Sequence, residues 1–121
     1  MNEQILCYLP GPLGWSGRLE QLCREENVRI IRVTADQCQK TVGSLLGLPA
    51  SLPAPAKAPV PKEPVLVLCG FSGDRLDAFL AHLRSGGIPP VLKAVVTPTN
   101  LGWSFSALAD ELARERAEMG G

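Results

Sequence analysis

The chain has 121 residues, 45% of them hydrophobic, enough for one core and too few for two. Twelve basic and twelve acidic side chains cancel, so no global field gathers phosphate backbone or an anionic membrane, and nucleic acid is not an expected partner. No run of about 18 uncharged apolar residues is present, and the start MNEQILCYLPGP lacks the basic and long apolar stretches of a signal peptide, so a soluble, cytoplasmic protein with no membrane partner is expected.

Ile5 to Leu9, ILCYL, is a short apolar run closed by Pro10, Gly11 and Pro12, the pattern of a buried strand ended by a turn. Ser16 is placed to cap a helix in which Leu19, Leu22 and Cys23 fall three and four apart, and that helix ends near Asn27. VRIIRVT, Val28 to Thr34, mixes β-branched residues with Arg29 and Arg32 and predicts a strand with at least one wet face or edge. The same order then repeats. PVLVLCGF, Pro64 to Phe71, is a nearly continuous apolar strand, and Ser72 is a cap candidate. Leu76, Phe79, Leu80 and Leu83 form a helical stripe stopped by Gly86 and Gly87, and VLKAVVT, Val91 to Thr97, is the strand that follows. RLEQLC at Arg18 to Cys23 aligns with RLDAFL at Arg75 to Leu80, and Cys7 and Cys69 sit alike in their strands, so the two thiols are expected to face each other on the central strands.

An insertion of another character separates the halves. Ala35 to Leu48 carries Val42, Leu45 and Leu46 at helical spacing, which predicts a short helix packed on the body. Pro49 to Pro64 holds six of the chain's eleven prolines and reads as an extended, polyproline-like tether, a composition also used by ligands of proline-reading domains. The last segment puts Phe105, Leu108, Ala109 and Leu112 on one side of an amphipathic helix, suited to covering the sheet face left open by the other two. The whole reads as one α/β (α+β) domain, 1–121: a first βαβ half at 1–34, the insertion at 35–64, a second βαβ half at 65–97, and a loop with a C-terminal helix at 98–121. Two such halves predict a ferredoxin-like βαββαβ sandwich, with a small doubly wound parallel sheet as the rival.

The candidate site is the corner after the last strand. Thr97, Pro98, Thr99 and Asn100 bring hydroxyls, a side-chain amide and backbone N–H groups to a strand-to-helix turn, where they can surround a polar or anionic ligand or bond one another as turn residues do. Lys93 interrupts an apolar strand and shares a face with Thr97 by alternation. At about 13 Å apart the two can flank a ligand but not touch one phosphate. Trp103 follows in LGWSF, an echo of LGWSG at Trp15, and each tryptophan is read as packing beneath a helix entry. Other chemistry is sparse. The four cysteines contain no Cys-x-x-Cys pair, no lysine or histidine near them in sequence lowers a thiol pKa, and Cys38 in ADQCQK is the thiol expected to be exposed. His82, the single histidine, reads as a boundary residue of its helix, and CGFSG at Cys69 to Gly73 lacks the spacing of a phosphate loop. No metal cluster, carboxylate pair or base and nucleophile pair is legible, which weighs against catalysis.

CGF at Cys69 to Phe71, LDAFL at Leu76 to Leu80, LKAVVTPTN at Leu92 to Asn100 and the following Trp103 together resemble a family of small bacterial proteins known only as a domain of unknown function. The resemblance covers the second half well and the first loosely, and it implies no substrate, cofactor or catalytic residue. The expected function is therefore a binding or regulatory module with ligand-binding residues Lys93, Thr97, Thr99, Asn100 and Trp103. The expected partners are a second copy in a homodimer and a protein met through the 35–64 insertion. The insertion occupies the place of the long excursion in the nitrogen-regulatory PII group, an analogy of architecture that makes a PII-like signalling protein one alternative; a small oligomeric enzyme is the other.

Overall fold

The computed structural model describes residues 3–11, 13–48 and 58–120. The elements are β1 (Gln4–Tyr8), α1 (Ser16–Glu25), β2 (Arg29–Arg32), α2 (Val42–Leu45), β3 (Val65–Cys69), α3 (Gly73–Ser85), β4 (Leu92–Val95) and α4 (Phe105–Gly120), with single 3-10 turns at Ala35–Gln37 and Asn100–Gly102. They form one four-stranded sheet in the order β2-β1-β3-β4. β1 runs parallel to β2 and β3 parallel to β4, and the two pairs meet through an antiparallel β1–β3 ladder in which Leu6 lies opposite Val67.

The mixed α/β class is as expected, but the ferredoxin-like detail is corrected. In that arrangement each βαβ unit is split by a strand of the other half; here Ile5 pairs directly with Ile30, and Leu66 directly with Lys93. Burial patterns do not separate the two plans, since both keep β1 and β3 central and β2 and β4 at the edges. The direct pairing of β1 with β2 is extended past the strand ends, where the Arg29 and Val33 N–H groups donate to the Glu3 and Cys7 carbonyls. The rival parallel sheet fails as well, because the central pair is antiparallel.

β1 and β3 are buried on both faces, as their continuous apolar sequences require. On one face Ile5, Cys7, Leu66 and Leu68 pack under Leu19 and Cys23 of α1 and Phe79 and Leu83 of α3. On the other, Leu6, Tyr8, Val65, Val67 and Cys69 pack under Val42 of α2 and Phe105, Leu108 and Ala109 of α4. The C-terminal helix therefore covers its own sheet, completing three layers. Cys7 and Cys69 fall on opposite faces, opposite Leu66 and Gln4 respectively, so the expected meeting of the two thiols is corrected by the register.

The two halves end their helices identically. Val28 N–H bonds the Cys23 carbonyl and Asn27 N–H the Arg24 carbonyl; Ile88 and Gly87 repeat this with Leu83 and Arg84. Each is a Schellman motif, with Asn27 (φ 58°) and Gly87 (φ 83°) in the left-handed conformation it requires. Helix entries differ from expectation: Ser72 stands at the N-cap of α3, but its side chain makes no capping bond. Ser16 is the first residue of α1 rather than its cap, and its hydroxyl donates to the Leu13 carbonyl at 3.0 Å. In the second LGWS the serine does cap: Ala107 N–H donates to Ser104 Oγ at 3.0 Å.

Residues 35–48 are built into the body. Val42 N–H donates to the Trp103 carbonyl, Phe105 N–H to Lys40 and Ser106 N–H to Cys38, and Cys38 is fully buried, correcting the expectation that it is exposed. Most of the expected proline-rich tether, residues 49–57, lies outside the described residues. Its end, 58–63, is tied down by Gln39 Nε2 donating to the Ala58 carbonyl at 2.8 Å and by the Arg116–Glu63 ion pair at 2.6 Å.

Candidate functional site

The corner predicted to hold a ligand is knotted to itself. Thr97 N–H donates to Asn100 Oδ1 at 2.9 Å, and Asn100 N–H returns a bond to Thr97 Oγ1 at 3.1 Å. Asn100 Nδ2 donates to the Val95 carbonyl at 3.1 Å, which ties the buried amide to the end of β4. Thr97, Pro98 and Thr99 are exposed. Trp103 packs with the α2–α4 layer, and Lys93 lies on the α1–α3 face opposite Leu66, so the five predicted residues do not converge on one site.

Lys93 instead lines a hollow of about 490 Å³ with Leu80, Leu83, Arg84, Ile88 and Pro90. A crossover helix runs back along its sheet, so the last turn of α3 arrives beside the start of β4 and sets Arg84 next to Lys93. The lysine is half-buried and donates to the Val91 carbonyl at 3.2 Å. Burial, and then the nearby Arg84 charge, hold its ammonium below the usual lysine range. Among the described residues neither Arg84 nor Lys93 has a carboxylate partner. The floor is apolar and the two polar groups are cations, a pairing suited to an acid with an apolar body. Sequence reading singled out Lys93 and missed Arg84; the available signal was its place four residues after Leu80, at the end of a helix that returns to the next strand.

A second polar cluster is held together by its own ion pairs. Arg75 Nε donates to Glu3 at 2.8 Å and Nη1 to Glu26 at 2.6 Å, while His82 Nδ1 lies 2.5 Å from the other Glu26 oxygen. The guanidinium sits 5.8 Å and 5.7 Å from the ring centres of Phe71 and Phe79. Burial opposes ionisation of Glu26, but the hydrogen bonds and charges of Arg75 and His82 outweigh it and hold the carboxyl below its usual range. With the Arg75 guanidinium shared between Glu3 and Glu26, this cluster clamps α1 to α3.

The thiols are poor nucleophiles. Burial pushes Cys7 up to about 11, against the opposing pull of Arg32, and Cys23 up to about 12. Among the described residues no three His, Cys, Asp or Glu side chains come together to hold a metal ion, and no helix is long and apolar enough to cross a membrane.

Residues 64–119 match a family model described as a domain of unknown function, DUF3783. The expected likeness is thereby found, over the half of the chain where its motifs lie. The DUF3783 segment runs from β3 into α4 and holds Arg84, Lys93 and the Thr97 to Asn100 corner, while β1, α1 and β2 precede it. No curated protein and no solved structure matches the chain.

Proposed function

We propose that this chain is a non-catalytic binding module whose ligand carries an anionic group and an apolar body, seated in the hollow between α3 and β4. The observation that supports the reading is a half-buried lysine, Lys93, set beside Arg84 with no carboxylate offsetting either charge among the described residues. Taking a cation out of water without a partner is unfavourable, and a like charge alongside adds repulsion. An anion in the hollow relieves both. Leu80, Leu83, Ile88 and Pro90 favour a ligand with more than a bare charged head, and about 490 Å³ admits a small metabolite. Of the 35–64 insertion that a PII-like reading would use, residues 35–48 are docked on the body and 49–57 lie outside the described residues.

The test is thermal unfolding with carboxylates and phosphate esters graded by apolar bulk, on wild type, Arg84→Met and Lys93→Met. Ligand at about 100 times its Kd adds about 2.7 kcal/mol. For 121 residues that raises the midpoint by roughly 10 °C. The expected result is a shift in wild type that grows with apolar bulk and disappears in both variants. No shift across the panel, or equal shifts in all three proteins, refutes the reading.

A further inference from the structure

The two cations of the hollow are not chemically alike. Arg84 is exposed on the last turn of α3, and a guanidinium stays charged in any surroundings, which suits it to holding a carboxylate through its planar fork. Lys93 stands half-buried on β4 and lines the hollow with Leu80, Leu83, Ile88 and Pro90. Among the described residues its nitrogen makes one bond, to the Val91 carbonyl at 3.2 Å. Lys40 and Lys62, by contrast, are exposed. An amine becomes a nucleophile when it gives up its proton, and an apolar pocket and a neighbouring cation each favour that loss. Lys93 has both, and burial, then the Arg84 charge, hold its ammonium below the usual lysine range.

From this pairing we infer that Lys93 binds its ligand covalently and reversibly, as an imine with an oxo acid whose carboxylate meets Arg84 and whose apolar chain lies on Leu80, Leu83, Ile88 and Pro90. This chemistry depends on the anion site proposed above and assigns it a ligand class. The free amine of Lys93 adds to the carbonyl carbon, and a C–N bond forms as the C–O π pair moves to oxygen. Both amine hydrogens pass to that oxygen, which leaves as water. No electrons are gained or lost overall, no co-reactant is needed, and hydrolysis reverses the step. Arg84 compensates the ligand's carboxylate, so the acid's own charge does not hold the lysine protonated. The apolar lining disfavours water beside the new bond, which favours the dehydrated adduct. A site that needed only fixed positive charge would be as well served by a second arginine, which keeps its proton.

Borohydride trapping tests the imine. Wild type is incubated with pyruvate, its longer straight-chain oxo-acid homologues or levulinate and then reduced, so that an imine becomes a stable secondary amine that peptide mapping locates. The expected result is a single adduct on Lys93, formed more readily as the chain lengthens, with Lys40, Lys57 and Lys62 unmodified. Lys93→Arg keeps the charge without the nucleophile and should lose the adduct. Mapping on wild type decides even where the variant does not fold. The matching hydroxy acids, which have no carbonyl, separate the imine from the anion site on which it depends. No adduct on Lys93 overturns the imine: if hydroxy and oxo acids still raise the unfolding midpoint the anion site stands, and if neither does, both fall. Adduct spread evenly over the chain's amines also overturns the assignment to Lys93.

Discussion

Replacing Asn100 with alanine separates a structural knot from a ligand site. The residue is 8% exposed, and its side chain makes two bonds, accepting from Thr97 N–H at 2.9 Å and donating to the Val95 carbonyl at 3.1 Å. Each such bond contributes about 0.5–1.5 kcal/mol net. Water can reach the freed partners because Val95 and Thr97 are themselves exposed, so the low half of the summed range applies, about 1–2 kcal/mol. At about 2.1 cal/mol/K per residue, 121 residues give roughly 0.25 kcal/mol/K, and the midpoint should fall by about 4–8 °C. Urea unfolding should move the transition midpoint without changing its slope. Thr97→Ala removes the acceptor for Asn100 N–H, and the double variant should lose less than the sum of the singles, because the two residues bond each other. An Asn100→Ala protein as stable as wild type, with weakened ligand binding, would refute the structural assignment and restore this corner as the site.

Acid should loosen the clamp between α1 and α3. Glu26 has a lowered folded pKa, so its contribution to stability is present above the ordinary carboxyl range and is lost as pH falls through the folded value. Glu26→Gln should flatten that acid limb in denaturation curves recorded from pH 7 downward, and an unchanged limb would assign acid lability elsewhere. Thiol labelling supplies another check. Cys7 and Cys23 are buried with pKa values of about 11 and about 12, so an aromatic disulfide reagent at neutral pH should modify them only as fast as the protein unfolds. Rapid labelling of either in the folded protein would contradict the packing of the α1–α3 face.

The elements were legible because their apolar spacing is plain, and the layering could have been read too. A sheet with one open face alternates, whereas ILCYL and VLVLC do not, and that continuity requires helices on both sides. Neighbour relations were not legible. The split and unsplit plans bury the same side chains, so periodicity is silent on whether β2 lies beside β1 or β3. Cys38 was misread because its surroundings in sequence are polar; its burial comes from residues far along the chain, with Ser106 N–H bonding its carbonyl. For the site, alternation put Lys93 and Thr97 on one face, yet Asn100 draws the turn back to Val95 and away from the lysine. Arg84 was invisible for a similar reason, as its partner in the hollow lies across a helix-to-strand return.

The two halves are related by more than the order of their elements. Arg18, third residue of α1, donates to the Gly87 carbonyl at the end of α3, and Arg75, third residue of α3, reaches Glu26 at the end of α1. These reciprocal contacts, the paired Schellman endings and the equal registers of β1–β2 and β3–β4 relate the halves by a twofold normal to the sheet. Under it Arg24 corresponds to Arg84, each bonded in its helix ending, and Ile30 to Lys93, each the second residue of an edge strand on the α1–α3 face. Both halves thus carry the helix arginine, but only the second places a cation on the strand beside it. Lysine at that position makes the hollow cationic. Isoleucine at the equivalent position gives the first half no strand cation there. The cation pair at the α3–β4 corner therefore comes from one residue difference between matching positions, not from a different backbone plan.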